Sequence, residues 1–415
     1  MAEQQRDTHV RDFAWYWFGQ SASVLSSQVA AFLLPTFAIL LFHASSTQVG
    51  LLNAASTVAY PALGLLAGVL ADRVRRRPIM LLADLARMAV FAWIPVVAVL
   101  GVLDLADLFM VGLAAGVFGV LFDVASQSHL PTLLPTSMLV KANARLELST
   151  SLAMLGGPVL GGLLVQLLTG TTALAAAAAL LALSVLGILR LRSSEPLPPA
   201  RRPSAHVLGE MREGVTALLK HPLLRSTTIA GALRNLGNAA AGTVALIFAY
   251  RVLGLSPGTV GLLLTVSGVA SIFGAWLSAP MLSRLGTSRT LIIACASGVV
   301  WTAAPLMLWL PAVPAYVTVA AMAAFWLPAW NMTITTLRQT VTAPQLLGRV
   351  HATSRSINFC ALPIGALIGG AGADVLSSVF GAANGLSISL VVVGLLAGSG
   401  AVVLVLARRV SPCGW

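Results

Sequence analysis

Gly68-Val69-Leu70-Ala71-Asp72-Arg73-Val74-Arg75-Arg76-Arg77 is an apolar run that stops at one carboxylate and a cluster of arginines. Residues 47–71 upstream and 78–101 downstream are each long enough to cross a bilayer. A helix rises ~1.5 Å per residue, so a ~30 Å hydrocarbon core takes about 20 residues. The decapeptide is therefore the turn between two spans, and its arginines mark the cytoplasmic face. Working outward gives twelve spans, at 13–42, 47–71, 78–101, 107–129, 146–169, 171–191, 223–249, 258–282, 289–310, 314–336, 354–376 and 384–406. An even number puts Met1 and Trp415 on the same side as the arginine cluster. Of the 25 Lys+Arg, Arg234 falls inside a span and Arg251 outside; the remaining 23 (25 − 2) lie in or beside cytoplasmic segments. That asymmetry fixes the orientation.

Composition agrees. The chain is 58% hydrophobic and 9% charged, against about 25% charge in a soluble domain. Long unbroken apolar runs argue against a β-barrel. A net charge of +12 would suggest nucleic acid in a soluble protein; here topology accounts for it, and no nucleic-acid partner is expected. Only Lys141 and Lys220 are lysine, a bias that suits a GC-rich bacterial gene. The expected home is the bacterial inner membrane, with both termini cytoplasmic. Cys295 and Cys360 fall in spans and Cys413 in the tail, so no disulfide framework is implied. Met1 to Asp12 is polar and the following run is too long for a cleavable signal peptide.

The expected domains are 1–192, a connector at 193–222, and 223–415. The connector opens Ser193-Ser194-Glu195-Pro196-Leu197-Pro198-Pro199. Beyond Pro203, Val207, Met211, Val215, Leu218 and Leu219 form one helical stripe, which predicts an amphipathic helix at the inner membrane surface. The two large parts repeat. Lys141-Ala142-Asn143-Ala144 matches Arg349-Val350-His351-Ala352, and Gly157-Pro158-Val159-Leu160-Gly161-Gly162 matches Gly365-Ala366-Leu367-Ile368-Gly369-Gly370. Both offsets are 208 (349 − 141 and 365 − 157). Duplicated six-span halves are typical of secondary transporters, whose substrate site lies near the midplane between the repeats.

The decapeptide resembles the loop 2–3 signature of the major facilitator superfamily, G-x-L-A-D-R-x-G-R-R, with Arg75 in place of the second glycine. Ala279 to Arg289 holds a decayed copy built around Ser283, Arg284 and Gly286. FDVASQSHLPTLLPTSMLVKANARLELS after the fourth span and LRQTVTAPQLLGRVHATSRSINFCALPIGALIGG around the eleventh are similar to the branch holding macrolide-efflux and enterobactin-exporter proteins. The resemblance covers nearly the whole chain. It implies an all-α membrane protein, twelve transmembrane helices in two pseudo-symmetric six-helix bundles. Gly157, Pro158, Gly161 and Gly162 resemble the core of the superfamily's antiporter motif, although Ala144 and Ala153 replace its upstream glycines. Glycines at this spacing let helices approach closely, and Pro158 kinks the span.

The candidate gating residues are Gly68, Asp72, Arg73, Arg76 and Asp123. A carboxylate such as Asp72 can cap a facing helix N-terminus. The resemblance implies a relay Asp72–Arg76–Asp123 that holds the cytoplasmic side closed. Asp123 as a coupling protonation site is the competing reading, and a static salt bridge the plainest. Arg234 sits near the middle of the seventh span, with Asn238 on its face and Asn235 adjacent. It faces a wet cavity or an anionic substrate group, or else pairs structurally with a neighbouring helix. Asp84 and Arg87 read as a structural ion pair. Phe118, Phe122, Trp326, Trp330 and Asn331 suit an aromatic cavity for bulky substrates, or plain interhelical packing. Gln20, Ser23, Ser27 and Gln28 give the first span a polar stripe. Relatives carry an acid near Ser27, which leaves proton coupling open. His129 and His351 read as structural. No P-loop, metal-ligand cluster or nucleophile–base set is recognisable, so neither cofactor, metal nor enzymatic activity is expected. The functional expectation is a proton-coupled exporter of small amphipathic molecules, antibiotic, natural product or siderophore, acting as a monomer. Rivals are an importer or lipid mover of the same fold, and a non-transporting membrane sensor or scaffold.

Overall fold

The computed structural model describes residues 2–168, 170–192, 195, 207–342 and 344–410. Within them every regular element is helical: α1 (Ala2–Leu40), α2 (Ser46–Arg73), α3 (Arg76–Val99), α4 (Leu105–Leu133), α5 (Thr136–Leu167), α6 (Ala173–Leu189), α7 (Val207–Lys220), α8 (Pro222–Arg251), α9 (Pro257–Ala296), α10 (Ala312–Phe325), α11 (Leu327–Val341), α12 (Pro344–Phe380) and α13 (Ala382–Val410), with 3₁₀ turns at Gly170–Thr172 and Ser297–Leu308. Helices are what lipid demands, since each backbone N–H and C=O must be satisfied within its own segment. Among the described residues nine stretches are long and apolar enough to span. One of them, Pro257–Leu308, runs for 52 residues, far more than a single crossing. It breaks at Gly286, whose φ of 76° is open to glycine at little cost. That break falls in the decayed signature copy.

Two expected spans are less regular than their hydropathy suggests. The outer half of 289–310 winds as 3₁₀ from Ser297 to Leu308. Ser297 and Thr302 return their hydroxyls to the carbonyls of Ala294 and Val299, and Pro305 withholds an N–H. The span 314–336 is interrupted between α10 and α11, where Pro328 sits in the first turn of α11. Proline is welcome there and unwelcome one turn later.

The chain forms two compact units, 1–44 with 55–201 and 256–265, and 45–54 with 202–255 and 266–415. In the first, α1 packs on α5 and α6, and α3 on α4 and α6. The α1–α6 approach is close because Gly19 faces Gly187; a Cβ on Gly187 would sit 2.9 Å from the Gly19 Cα. In the second, α8 is the hub, with α12 and α13 against it. The first turn of α2 belongs to this unit. Asp374 of α12 accepts the backbone N–H groups of Ser46 and Thr47, both at 2.8 Å, and so caps a helix from a distant segment.

The expected connector helix is α7, but its stripe is divided. Leu218 is buried with Leu224 and Val350, and Arg349 pairs with Glu213. Val215 and Leu219 are exposed. One apolar row thus seats the helix on the protein and another faces outward. The side chains of Val207 and Met211 lie outside the described residues.

Candidate functional site

The repeat is visible in atomic contacts. In the first unit, Gly157 and Gly161 of α5 meet Gln28 and Phe32 of α1. In the second, Gly365 and Gly369 of α12 meet Leu236 and Ala240 of α8. Each partner pair is again 208 apart (236 − 28 and 240 − 32). Gly162 approaches Pro257 and Gly258, and Gly370 approaches Ser46 and Gly50; 258 − 50 is also 208. A Cβ on Gly161 would lie 2.7 Å from the Phe32 ring, and one on Gly369 2.7 Å from the Ala240 Cα. The GPxxGG glycines are therefore close-packing positions, while Gly68 of the signature loop has nothing within 4 Å of where a Cβ would stand.

Each unit also buries an arginine over an aromatic ring at the repeat position, Phe122 in one and Trp330 in the other (330 − 122 = 208). In the first unit the cation comes from α3. Arg87 is 3% exposed and lies 4.9 Å over Phe122. It forms an ion pair with Asp84 and donates to Ser23 at 2.5 Å and Ser27 at 2.9 Å. Ser184 and Ser23 donate to Asp84. Ser23, Ser27 and Phe122, expected on a cavity face, thus serve this network, which leaves the Arg87 Nε without a hydrogen-bond partner, and Ser23 and Phe122 are buried. Gln20 is half-buried on α1, with its carbonyl oxygen unpartnered.

In the second unit the cation comes from α8. Arg234 is 3% exposed and sits 5.6 Å over Trp330. Its Nε–H reaches the Ala294 carbonyl at a long 3.4 Å. Among the described residues no carboxylate lies within ion-pair distance of it. Gly231, Arg234 and Gly237 share the buried face of α8, whereas Asn235 and Asn238 are half-buried. Asn235 donates to the Asn358 backbone oxygen at 3.2 Å. The helix phase expected to present Arg234 to open space instead turns it toward α9 and α11. Trp326 is half-buried against Phe325 and Asn331 is exposed. Asn358 was missed in the sequence, although an amide between Ile357 and Phe359 within a span was a legible signal. An apolar crevice of about 340 Å³ lined by Leu306, Met307, Pro314 and Val319 includes none of these groups.

The loop signature is arranged differently from the expected relay. Arg76 pairs with Glu195 at 3.6 Å, and Glu195 also accepts the backbone N–H groups of Arg76 and Arg77 at 2.7 and 3.1 Å. It therefore caps α3, the role expected of a loop carboxylate. His129 stands 3.9 Å from Glu195. Asp123 takes the hydroxyl of Tyr60. Arg73 is exposed, and the side chain of Asp72 lies outside the described residues. Glu195 and Tyr60 were not flagged in the sequence. An acid in a connector and a lone tyrosine in a span carry no pattern that names their partners.

Comparison with known proteins follows the same lines. A profile described as Major Facilitator Superfamily matches residues 16–366. The chain is 27% identical over 375 residues to the multidrug efflux pump Tap of Mycolicibacterium fortuitum, covering 86% of this chain and 88% of that protein. It is 28% identical over 386 residues to the enterobactin exporter EntS of Citrobacter koseri, covering 90% and 88%. Among solved structures, a bacterial homolog of the human lysosomal transporter Spinster, inward-facing and unoccupied, superposes with a TM-score of 0.74 at 16% identity, covering 97% of each chain. The nucleoside transporter NupG, as its D323A mutant, does so at 0.71 and 14%, covering 97% of this chain and 98% of that one.

Proposed function

This chain belongs to the Major Facilitator Superfamily, and from that premise we propose that it is a proton-coupled exporter of small amphipathic molecules. It is a multi-pass membrane protein of a transporter family, not an enzyme. The observation that carries the export reading is the near full-length similarity to a drug efflux pump and a siderophore exporter. Six spans in each half, both termini in the cytoplasm of a bacterial cell, and action as a monomer complete the proposal.

The residues support a division of labour. The Arg87–Asp84 network fixes the N-terminal half, and Arg234 with Trp330 contacts substrate. Arg76 and Asp123 form a partner-exchanging gate. In the state seen, Arg76 holds Glu195 and Asp123 holds Tyr60; in the relay state Arg76 joins Asp123. Protons enter at Asp123 or through the substrate.

The test is expression in a bacterial host stripped of its main efflux systems, challenged with a panel of macrolide, tetracycline and siderophore. At least one compound should accumulate several-fold less, and an uncoupler should erase the difference. Greater accumulation would indicate import. No change for any compound would remove the exporter reading.

A further inference from the structure

We infer that the ligand of the Arg234 region is an aromatic anion carrying a hydroxyl beside its charged group, read by Arg234, Asn358 and Trp330. This rests on the exporter reading and names its substrate class. The first observation is a missing counter-charge. A buried arginine normally takes a carboxylate, as Arg87 takes Asp84; an unpaired one is costly and marks function. The C-terminal half has none to offer. From 223 to 415 its single acidic side chain is Asp374, already engaged by Ser46 and Thr47. An anion from outside the chain would complete the site, and the guanidinium's planar fork suits a carboxylate.

The second observation is an acceptor without a donor. The buried side-chain oxygen of Asn358 has no hydrogen-bond partner, and such groups are normally satisfied. It lies against Gly231, one helical turn before Arg234 on α8, where the absence of a side chain makes room for it. A Cβ at Gly231 would sit 3.0 Å from that oxygen and 3.3 Å from the Trp330 ring. Amide and indole therefore meet at Gly231, and the guanidinium lies over the same indole. The amide calls for a hydroxyl and the indole for a flat apolar face. Arg355, exposed and 5.3 Å over Phe359, stands one turn before Asn358 on α12 and supplies a positive approach.

Salicylate is the smallest probe with all three features. Benzoate lacks the hydroxyl, benzyl alcohol the anion, and benzylamine inverts the charge. Binding is read as tryptophan quenching of the purified full-length protein in zwitterionic nanodiscs. Salicylate should bind about three- to tenfold tighter than benzoate, the worth of one neutral hydrogen bond. Benzyl alcohol and benzylamine should fall at least about tenfold further. Asn358→Leu should erase the salicylate–benzoate gap. Arg234→Gln should bring both acids down to benzyl alcohol. If benzyl alcohol or benzylamine matches salicylate, or the gap survives Asn358→Leu, the assignment is overturned. Weaker salicylate binding in phosphatidylglycerol nanodiscs would assign the anion site to lipid headgroups and likewise overturn it; equal affinity supports a carried solute. Where Arg234→Gln does not fold, the Asn358→Leu gap decides. The accumulation assay above reports export independently. A chain that exports yet ignores salicylate sinks only this inference.

Discussion

Arg87 and Arg234 occupy similar surroundings and lead different lives. Both are 3% exposed, and each lies over the aromatic ring at one repeat position. Arg87 is enclosed by Asp84, Ser23 and Ser27. Arg234 has a ring, one long hydrogen bond to a carbonyl, and no acid within reach among the described residues. Duplication kept the aromatic position and let the cation move, from α3 in one half to α8 in the other. The difference teaches that a buried charge is understood only through its partners. A satisfied one specifies packing, and an unsatisfied one is retained for something that comes and goes.

The largest expected effect lies on the Arg87 side. Asp84→Leu strands a buried cation and should cost ~3–5 kcal/mol, seen as a lowered unfolding temperature and loss of monodisperse protein. Arg234→Leu strands no charged partner and should leave the unfolding temperature unchanged or raise it. Adding Arg87→Met to Asp84→Leu should restore most of the loss, since an apolar pair of similar volume often substitutes well. Failure of that rescue would mean that the network does more than satisfy its own charges.

A second comparison concerns the glycines. Gly365→Ala drives a methyl into the Leu236 backbone and should destabilise by ~1–3 kcal/mol. Gly161→Ala meets only the Phe32 ring, which can rotate, and should cost less. Gly68→Ala meets nothing within 4 Å and should stay within ~0.5 kcal/mol. Equal losses at Gly365 and Gly68 in thermal unfolding would break the packing account.

The gate offers a smaller effect with a sharper shape. In a stability cycle, Arg76→Ala and Glu195→Gln should couple by ~1 kcal/mol, because the two groups touch. In a transport cycle, Arg76→Ala should couple to Asp123→Asn instead. Coupling to Glu195 in both assays would leave no exchange and remove the relay. A further modest effect lies at Asp374. Asp374→Ala deletes a cap from two N–H groups and should cost ~0.5–1 kcal/mol of thermal stability; Asp374→Asn should keep part of it.

Much of this was legible before any coordinates, for physical reasons. Apolar length is written residue by residue, so a multi-pass helical membrane protein could be read. The 208-residue offset anticipated packing partners as well as motifs. Side-chain direction was not legible. Sequence spacing does not resolve which neighbouring helices Arg234 turns toward, here α9 and α11. Partners distant in sequence, such as Glu195 for Arg76 and Tyr60 for Asp123, were equally hidden.

The most direct test of the contrast between the two arginines is cellular accumulation of whichever panel compound the unmutated transporter excludes, normalised to folded protein. Arg234→Gln should be present at the unmutated level yet lose at least about tenfold of exclusion, as expected when a charge-assisted contact with substrate is removed. Full exclusion by Arg234→Gln would contradict the account.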